Sequence, residues 1–399
     1  MTPVDEVAPT GGAGGAGASP ARSSSDAATR WAWVEVDLDA VAHNVRTVLA
    51  ACAPAELWAV VKADGYGHGA AEVATAALDA GASGLCVALV SEGAALRRAG
   101  IDAPILLLAE QPADQLEVAV RCRLTSTAYS VAQIDALVAA GASDHPVHLK
   151  VDTGMHRVGV VAADASAVAD AIRRAAPAVR LDGVFTHLAI ADDPTHPFTV
   201  EQLERFDAVL ADLAACGHRP RVVHAANSAA ALAHPEARRS LVRAGIAVYG
   251  IVPSAELEHL AADLRPALSL HARVAHLKRL PPGAHVSYGL RHTVAAATTI
   301  ATVPIGYADG VPRRLHDTGG EVLLGGRRRP IVGAVTMDQL MVDCGDDDVH
   351  VGDPVVLLGR QATGEITATE WARRLGTIAY EVVTGIGPRV ERRYVRADQ

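Results

Sequence analysis

The chain has 399 residues, half of them hydrophobic and 20% charged, with a formal net charge of −9. That length exceeds the usual single domain, and a (β/α)8 barrel, which uses about 250 residues, followed by a smaller domain fits it naturally. The acidic balance offers no face to a nucleic acid and no stretch is long and charge-free enough to span a bilayer, so neither nucleic-acid nor membrane partners are expected, and a cytoplasmic location follows by default.

Residues 1–30 are rich in Gly, Ala, Ser and Pro and lack both a signal-peptide core and packing residues, which predicts a disordered tail. From Trp33 onward, short β-rich runs alternate with Ala-rich helical stretches. Eight strands are expected: Trp58–Lys62, Gly84–Leu89, Pro104–Ala109, Leu124–Tyr129, Pro146–Val151, Leu181–His187, Arg221–Ala226 and Leu241–Gly245. Eight parallel strands with helices between them favour a closed α/β barrel of the TIM type over residues 31–265 rather than an open doubly wound sheet.

Residues 266–399 change texture to strand-like runs at Ser269–Leu280, Thr299–Ile305, Glu321–Leu324, Pro330–Val335 and Pro354–Leu358. One helix, Ala368–Leu375, follows a capping Thr367. A mostly β C-terminal domain is predicted, with which the strand near residues 33–37 can pack. The basic run Arg327–Arg329 reads as a solvated hairpin turn. Five cysteines stand singly, without the spacing of a zinc site or a redox pair, and are expected as buried thiols; no metal site is expected.

Lys62 ends an apolar run and precedes the glycine-rich Gly65-Tyr66-Gly67-His68-Gly69. At the carboxyl end of a barrel strand a lysine faces the mouth, where partial desolvation lowers its pKa and makes it a nucleophile for an aldehyde. The loops after the last two strands, Ala225–Ser228 and Arg243–Ile246, supply a hydroxyl, an amide and backbone donors suited to a phosphate.

The segment Val61–Gly69 resembles the cofactor-lysine motif of alanine racemases, and further motifs agree in order from Trp33 to about Val395. The resemblance implies that Lys62 carries pyridoxal 5'-phosphate as an aldimine. It places Tyr66, Ser228, Gly245 and Ile246 at the phosphate, Asn227 beside it, and Arg243 opposite the pyridine nitrogen. An arginine keeps its proton, so that nitrogen should stay unprotonated, which weakens the ring as an electron sink and disfavours a decarboxylase.

Racemisation needs a second base on the opposite face, and His285–Gly289 resembles the motif whose tyrosine, here Tyr288, reaches into the partner subunit's site. A phenol needs help to act as a base, and His187 and Arg243 are the candidates for tuning it. In Lys150–Gly159 the resemblance implies that Arg157 approaches the substrate carboxylate and the cofactor phenol, and that Lys150 is a residue carbon dioxide can carbamylate. Gly333–Gln339 would supply Met337 and Asp338 across subunits, and Tyr307 and Tyr380 would line the entrance. The expected protein is therefore an alanine racemase-family isomerase, a homodimer with shared sites and a small substrate, alanine. A broad-specificity or serine racemase is the first alternative, and a decarboxylase or a non-catalytic pyridoxal-phosphate-binding protein stands behind it.

Overall fold

A computed structural model describes residues 30–396; the expected tail lies outside the described residues except for Arg30. Eight strands, Glu56–Val60, Gly84–Val87, Ile105–Leu107, Ser126–Ala128, His145–Asp152, Val179–Phe185, Val222–His224 and Leu241–Ala244, run parallel. Two gaps in the regular ladders are bridged by isolated backbone bonds. Thr125 joins the third strand to the fourth, with Leu107 N–H donating to its carbonyl at 2.9 Å. Arg243 N–H donates to Ala226 at 3.0 Å and Ser240 N–H to Val223 at 3.1 Å, which joins the seventh strand to the eighth. Every strand thus has a neighbour on both sides, and the sheet is closed.

Side chains of opposite and of neighbouring strands meet inside. Trp58 of the first strand stacks with His148 of the fifth at 5.9 Å, and Phe185 of the sixth stacks with His224 of the seventh at 4.6 Å. A Cβ at Gly183 would stand 2.8 Å from the His148 ring, so the glycine makes room for an interior imidazole. Outside, amphipathic helices cover the strands; Ala165–Arg174, for example, buries Val168, Ala169 and Ile172 and ends on two arginines at its negative dipole end.

Beyond the barrel the described residues form three further sheets, of seven, three and two strands, the smallest being His285–Val286 against His292–Thr293. Leu268–Arg273 pairs antiparallel with Ala32–Asp37 and with Pro354–Gln361, and Ala32–Asp37 pairs parallel with Glu391–Val395, so strands from both ends of the described chain share one sheet. The single run expected at Ser269–Leu280 is two strands. The chain passes from the seven-stranded to the three-stranded sheet at two residues: Val274 N–H donates to Asp353 and Ala275 N–H to Thr302, after which His276–Leu280 pairs with Thr298–Val303. The expected helix occurs at Ala368–Leu375 with Thr367 as its cap, and a second short one follows at Ala379–Thr384.

Two other expectations are corrected. Arg327–Pro330 is a hairpin strand against Glu321–Leu324, and Arg328 is not merely solvated, since it bonds Glu321 at 2.9 Å and Glu370 at 2.7 Å. Of the cysteines, Cys52, Cys86 and Cys344 are buried, but Cys122 is half-buried and Cys216 exposed. Among the described residues no helix is long and apolar enough to cross a membrane.

Candidate active site

The first barrel strand stops at Val60, two residues short of the expected end, because Lys62 opens a left-handed turn. Ala63, Asp64, Gly65 and Tyr66 all have φ between 51° and 60°. For a residue with a Cβ this conformation costs roughly 1–2 kcal/mol, so three such residues within four positions persist only where their surroundings hold them. The holding bonds are visible. Ala63 N–H donates to Glu92 Oε1 at 2.6 Å, Ala70 N–H to Asp64 Oδ1 at 2.9 Å, and Gly69 N–H to the Asp64 carbonyl at 2.8 Å. The turn carries the Tyr66 phenol to the loop after the last strand, where a Cβ added to Gly245 would stand 2.7 Å from the phenolic oxygen.

A cavity of about 570 Å³ opens at the carboxyl ends of the strands. Its wall brings together Lys62 and Tyr66 from the left-handed turn, Lys150 and Arg157 from the fifth strand and its loop, and His187 from the end of the sixth. Asn227, Ser228, Arg243, Gly245 and Ile246 come from the seventh and eighth, and Tyr380 from the helix Ala379–Thr384. Asn227 Oδ1 caps the helix Ser228–Ala233 by accepting from Ala230 N–H at 3.0 Å. Ser228 Oγ accepts from Gly245 N–H at 2.8 Å and Ala247 N–H at 3.3 Å, which leaves its own proton to donate. Gly245 therefore contributes space rather than a free amide, in a pocket that has the composition of an anion cradle.

The charges around this space are one-sided. Burial first, and Arg157 second, push the Lys62 amine below its ordinary range, with Glu92 acting in the opposite sense. Lys150, 5% exposed, is pushed down to about 7 by burial and then by Arg243, Arg157 and Lys62. Arg243 is lowered only to about 10 by burial and so keeps its proton at neutral pH. His187 is pushed well down by burial and then by Arg243, Arg157 and the two lysines, so it stands neutral. Cations crowded in a partly desolvated mouth match a ligand that brings anionic groups of its own.

Arg243 is fixed from below. Its guanidinium donates to the carbonyls of Thr186 at 2.9 Å and Ala225 at 3.0 Å and to His224 Nδ1 at 2.7 Å, and it lies 5.1 Å from the centre of the Phe185 ring. His187 Nδ1 is 3.4 Å from it. The sequence reading missed the residues beneath this layer: His224, His148, and Gln202, whose amide donates to Thr153 Oγ1 and to the His187 carbonyl, each at 3.2 Å. The only available signal was a histidine or glutamine inside an otherwise apolar run.

Four expected site residues stand apart from this cavity. Tyr288, Tyr307, Met337 and Asp338 line a second one of about 630 Å³ in the C-terminal part of the same chain. Tyr288 is 73% exposed and Met337 52%. The turn bearing Tyr307 is tied to the Met337 loop by Tyr307 N–H to the Thr336 carbonyl at 2.9 Å and Ala308 N–H to the Met337 carbonyl at 3.0 Å. Asp338 accepts from Arg389 at 2.7 Å.

A closed barrel with a desolvated lysine after its first strand and an anion cradle after its last two defines a class: barrel enzymes that hold a phosphate-bearing ligand beside a reactive amine. Profiles of the alanine racemase N-terminal and C-terminal domains match residues 36–253 and 267–394. The alanine racemase of Symbiobacterium thermophilum is 49% identical over 366 residues, covering 91% of this chain and 96% of its own. Among solved structures, alanine racemase from Bacillus anthracis with bound L-Ala-P superposes with a TM-score of 0.88 at 41% identity, covering 93% of this chain and 96% of that one. The alanine racemase of Streptomyces coelicolor superposes at 0.87 with 42% identity, covering 91% and 98%. The chain belongs to the alanine racemase family and is an amino-acid isomerase; membership implies pyridoxal phosphate as the cofactor.

Proposed function

We propose that the protein interconverts L- and D-alanine with pyridoxal phosphate carried on Lys62, and that two copies of the chain complete each other's sites. The observation that carries this reading is the single cavity at the barrel mouth, where a desolvated amine, a cradle shaped by Gly245 and a permanently charged guanidinium line one wall. The residues fit the group: the absence of a Cβ at Gly245 lets the Tyr66 phenol stand at the cradle, where a Cβ would come within 2.7 Å of its oxygen, and Ser228 keeps a hydroxyl proton to give a phosphate.

When bound, pyridoxal phosphate supplies an aldehyde for the lysine and an electron sink for the α-carbon. Ser228, Ile246 and the Tyr66 phenol would hold the phosphate, and Asn227 caps the helix start behind them. Arg243, which keeps its proton at neutral pH, would face the ring nitrogen and so would limit the charge the ring could take up. Arg157 receives the substrate carboxylate with a planar, two-toothed cation, and neutral His187 keeps Arg243 in register. Lys62 moves a proton on one face of the α-carbon and Tyr288 of the partner subunit on the other. Tyr380 and Tyr307 of the partner subunit narrow the entrance to a small side chain, and Met337 and Asp338 of the partner subunit close it.

Two measurements test this together. A chiral assay should reach equal amounts of both alanine enantiomers from either one, and borohydride reduction followed by peptide mapping should find the cofactor on Lys62. Release of carbon dioxide without D-alanine, or label on another lysine, would overturn it.

A further inference from the structure

One carboxylate outside the residues named so far joins the elements that carry Lys62. Glu92 is the third residue of the helix Val90–Arg98 and is half-buried. Its Oε2 accepts from Ala88 N–H at 2.8 Å and Leu89 N–H at 3.1 Å, which satisfies the start of its own helix. Its Oε1 reaches out of that helix and accepts from Ala63 N–H at 2.6 Å.

Helix capping does not require this third bond. Ala63 lies on the preceding strand-to-helix turn, directly after Lys62, and it is the residue at which the backbone enters the left-handed region, with φ 52° and ψ 51°. An ionised carboxylate accepting from a backbone amide makes a short and strong bond, and its two oxygens accommodate three donors without competition. Glu92 is also an acidic group whose charge acts on the Lys62 amine, favouring its protonated form against burial and Arg157.

We propose that Glu92 is a positioning residue for Lys62: by holding the Ala63 amide it keeps the left-handed turn formed and the lysine fixed at the mouth of the barrel. It touches neither substrate nor cofactor. The clamp exists whether or not Lys62 carries the cofactor, whereas its catalytic consequence rests on that reading.

Hydrogen exchange read by mass spectrometry on the holoenzyme separates the clamp from the cap. In Glu92→Gln an amide N–H must face one group of backbone donors, and exchange across residues 63–69 should accelerate about tenfold for the loss of one charge-assisted bond. Glu92→Asp is one methylene shorter; it can still cap the helix at Ala88 and Leu89 but falls short of Ala63. It should therefore keep the parent's thermal midpoint while showing the same acceleration at residues 63–69 and a kcat lowered about tenfold at little-changed KM. Exchange at residues 63–69 equal to the parent's in both variants, or acceleration confined to residues 88–98, would overturn the proposal. Borohydride mapping of the same samples reports separately whether Lys62 holds the cofactor, so failure of that reading is not confused with failure of the clamp.

Discussion

Arg243 Nη1 and His224 Nδ1 stand 2.7 Å apart beneath the mouth of the barrel, and the direction of that one bond fixes the protons below it. A guanidinium only donates, so His224 Nδ1 must offer a lone pair and its proton must sit on Nε2. That nitrogen is 2.9 Å from His148 Nδ1, which is then the acceptor, leaving the His148 proton on Nε2 and 3.6 Å from Asp182 Oδ2. Burial holds both imidazoles below their ordinary range, so both are neutral. The His148 contact and Arg221 keep the Asp182 carboxyl well below the usual carboxylate range despite burial.

Nitrogen-15 spectra of labelled histidine should accordingly show His224 and His148 as neutral Nε2–H tautomers near pH 7. Asp182→Asn can present an N–H to His148 and so reverse the chain, turning an N–H of His224 toward Arg243. That variant should show Nδ1–H signal at His224 and a kcat lowered by roughly tenfold to a hundredfold, the scale of one spoiled bond to a charged group. An Nδ1–H on His224 in the parent would break the chain at its first link.

Lys150 gives the protein a pH dependence of definite sign. Its amine ordinarily titrates at 10.5 and is pushed down to about 7 in the fold. Between those values the unfolded chain holds a proton that the folded chain has released, so this group's contribution to stability is absent below about 7 and grows as pH rises through that window, by up to about 1.4 kcal/mol per unit. Denaturant titrations in carbon-dioxide-free buffer at two alkaline pH values should therefore show a steeper rise for the parent than for Lys150→Met. A neutral amine is also the form that adds carbon dioxide, and the carbamate would place a negative charge among Arg157, Arg243 and Lys62. Carbon-13 bicarbonate should add one carbamate resonance that Lys150→Met lacks; a parent without it would leave the lysine as a plain amine.

How much of this was legible in the residues depends on range. Lys62, Arg243 and Ser228 announce themselves because strand ends and glycine-rich turns are local patterns. The left-handed turn that starts at Lys62 is not, since hydrophobicity does not record the sign of φ, and the first strand was read two residues too long for that reason. The layer under Arg243 is invisible because its bonds join residues 76 positions apart in the His148–His224 pair and 49 apart in the Gln202–Thr153 pair. The helix Ala379–Thr384 was hidden by its β-branched Val382-Val383-Thr384, whose helical state is imposed by packing of Val382 and Val383 into the core. The division of site residues between two cavities is likewise a property of tertiary structure that motif order cannot convey.

Gly245→Ala tests the cradle with one methyl group. The added carbon would lie 2.7 Å from the Tyr66 oxygen and displace the phenol from the cradle assigned to the phosphate. Affinity for pyridoxal phosphate should fall by about tenfold to a hundredfold, the scale of a buried clash of one to three kcal/mol, and because the clash is with the protein's own Tyr66 the thermal midpoint of the cofactor-free protein should fall as well. Removing the clashing oxygen in a Gly245→Ala, Tyr66→Phe double variant should not repeat the full sum of both single losses. Fluorescence titration of the apoprotein gives the four affinities. Cofactor binding unchanged in Gly245→Ala would place the phosphate elsewhere.

The separation of Lys62 from Tyr288 within one chain leads to the sharpest test of a shared site. The two residues line different cavities, and Tyr288 is largely exposed on the one that lacks the amine. If a second copy brings its Tyr288 to this chain's Lys62, Lys62→Ala and Tyr288→Phe chains are each inactive as homodimers in at least one direction of proton transfer. A dimer with one chain of each kind, however, rebuilds one intact site, because Lys62 comes from the Tyr288→Phe chain and Tyr288 from the Lys62→Ala chain. Dissociating an equal mixture and letting it reassociate should restore about a quarter of the parent's racemase activity, since about half the dimers are mixed and each holds one good site of two. Tyr288→Phe alone should slow α-proton exchange from one enantiomer far more than from the other, because each base serves one face. Equal slowing of both, or no recovery on mixing under conditions where sedimentation shows mixed dimers, would mean that both bases come from a single chain or that Tyr288 is not one of them.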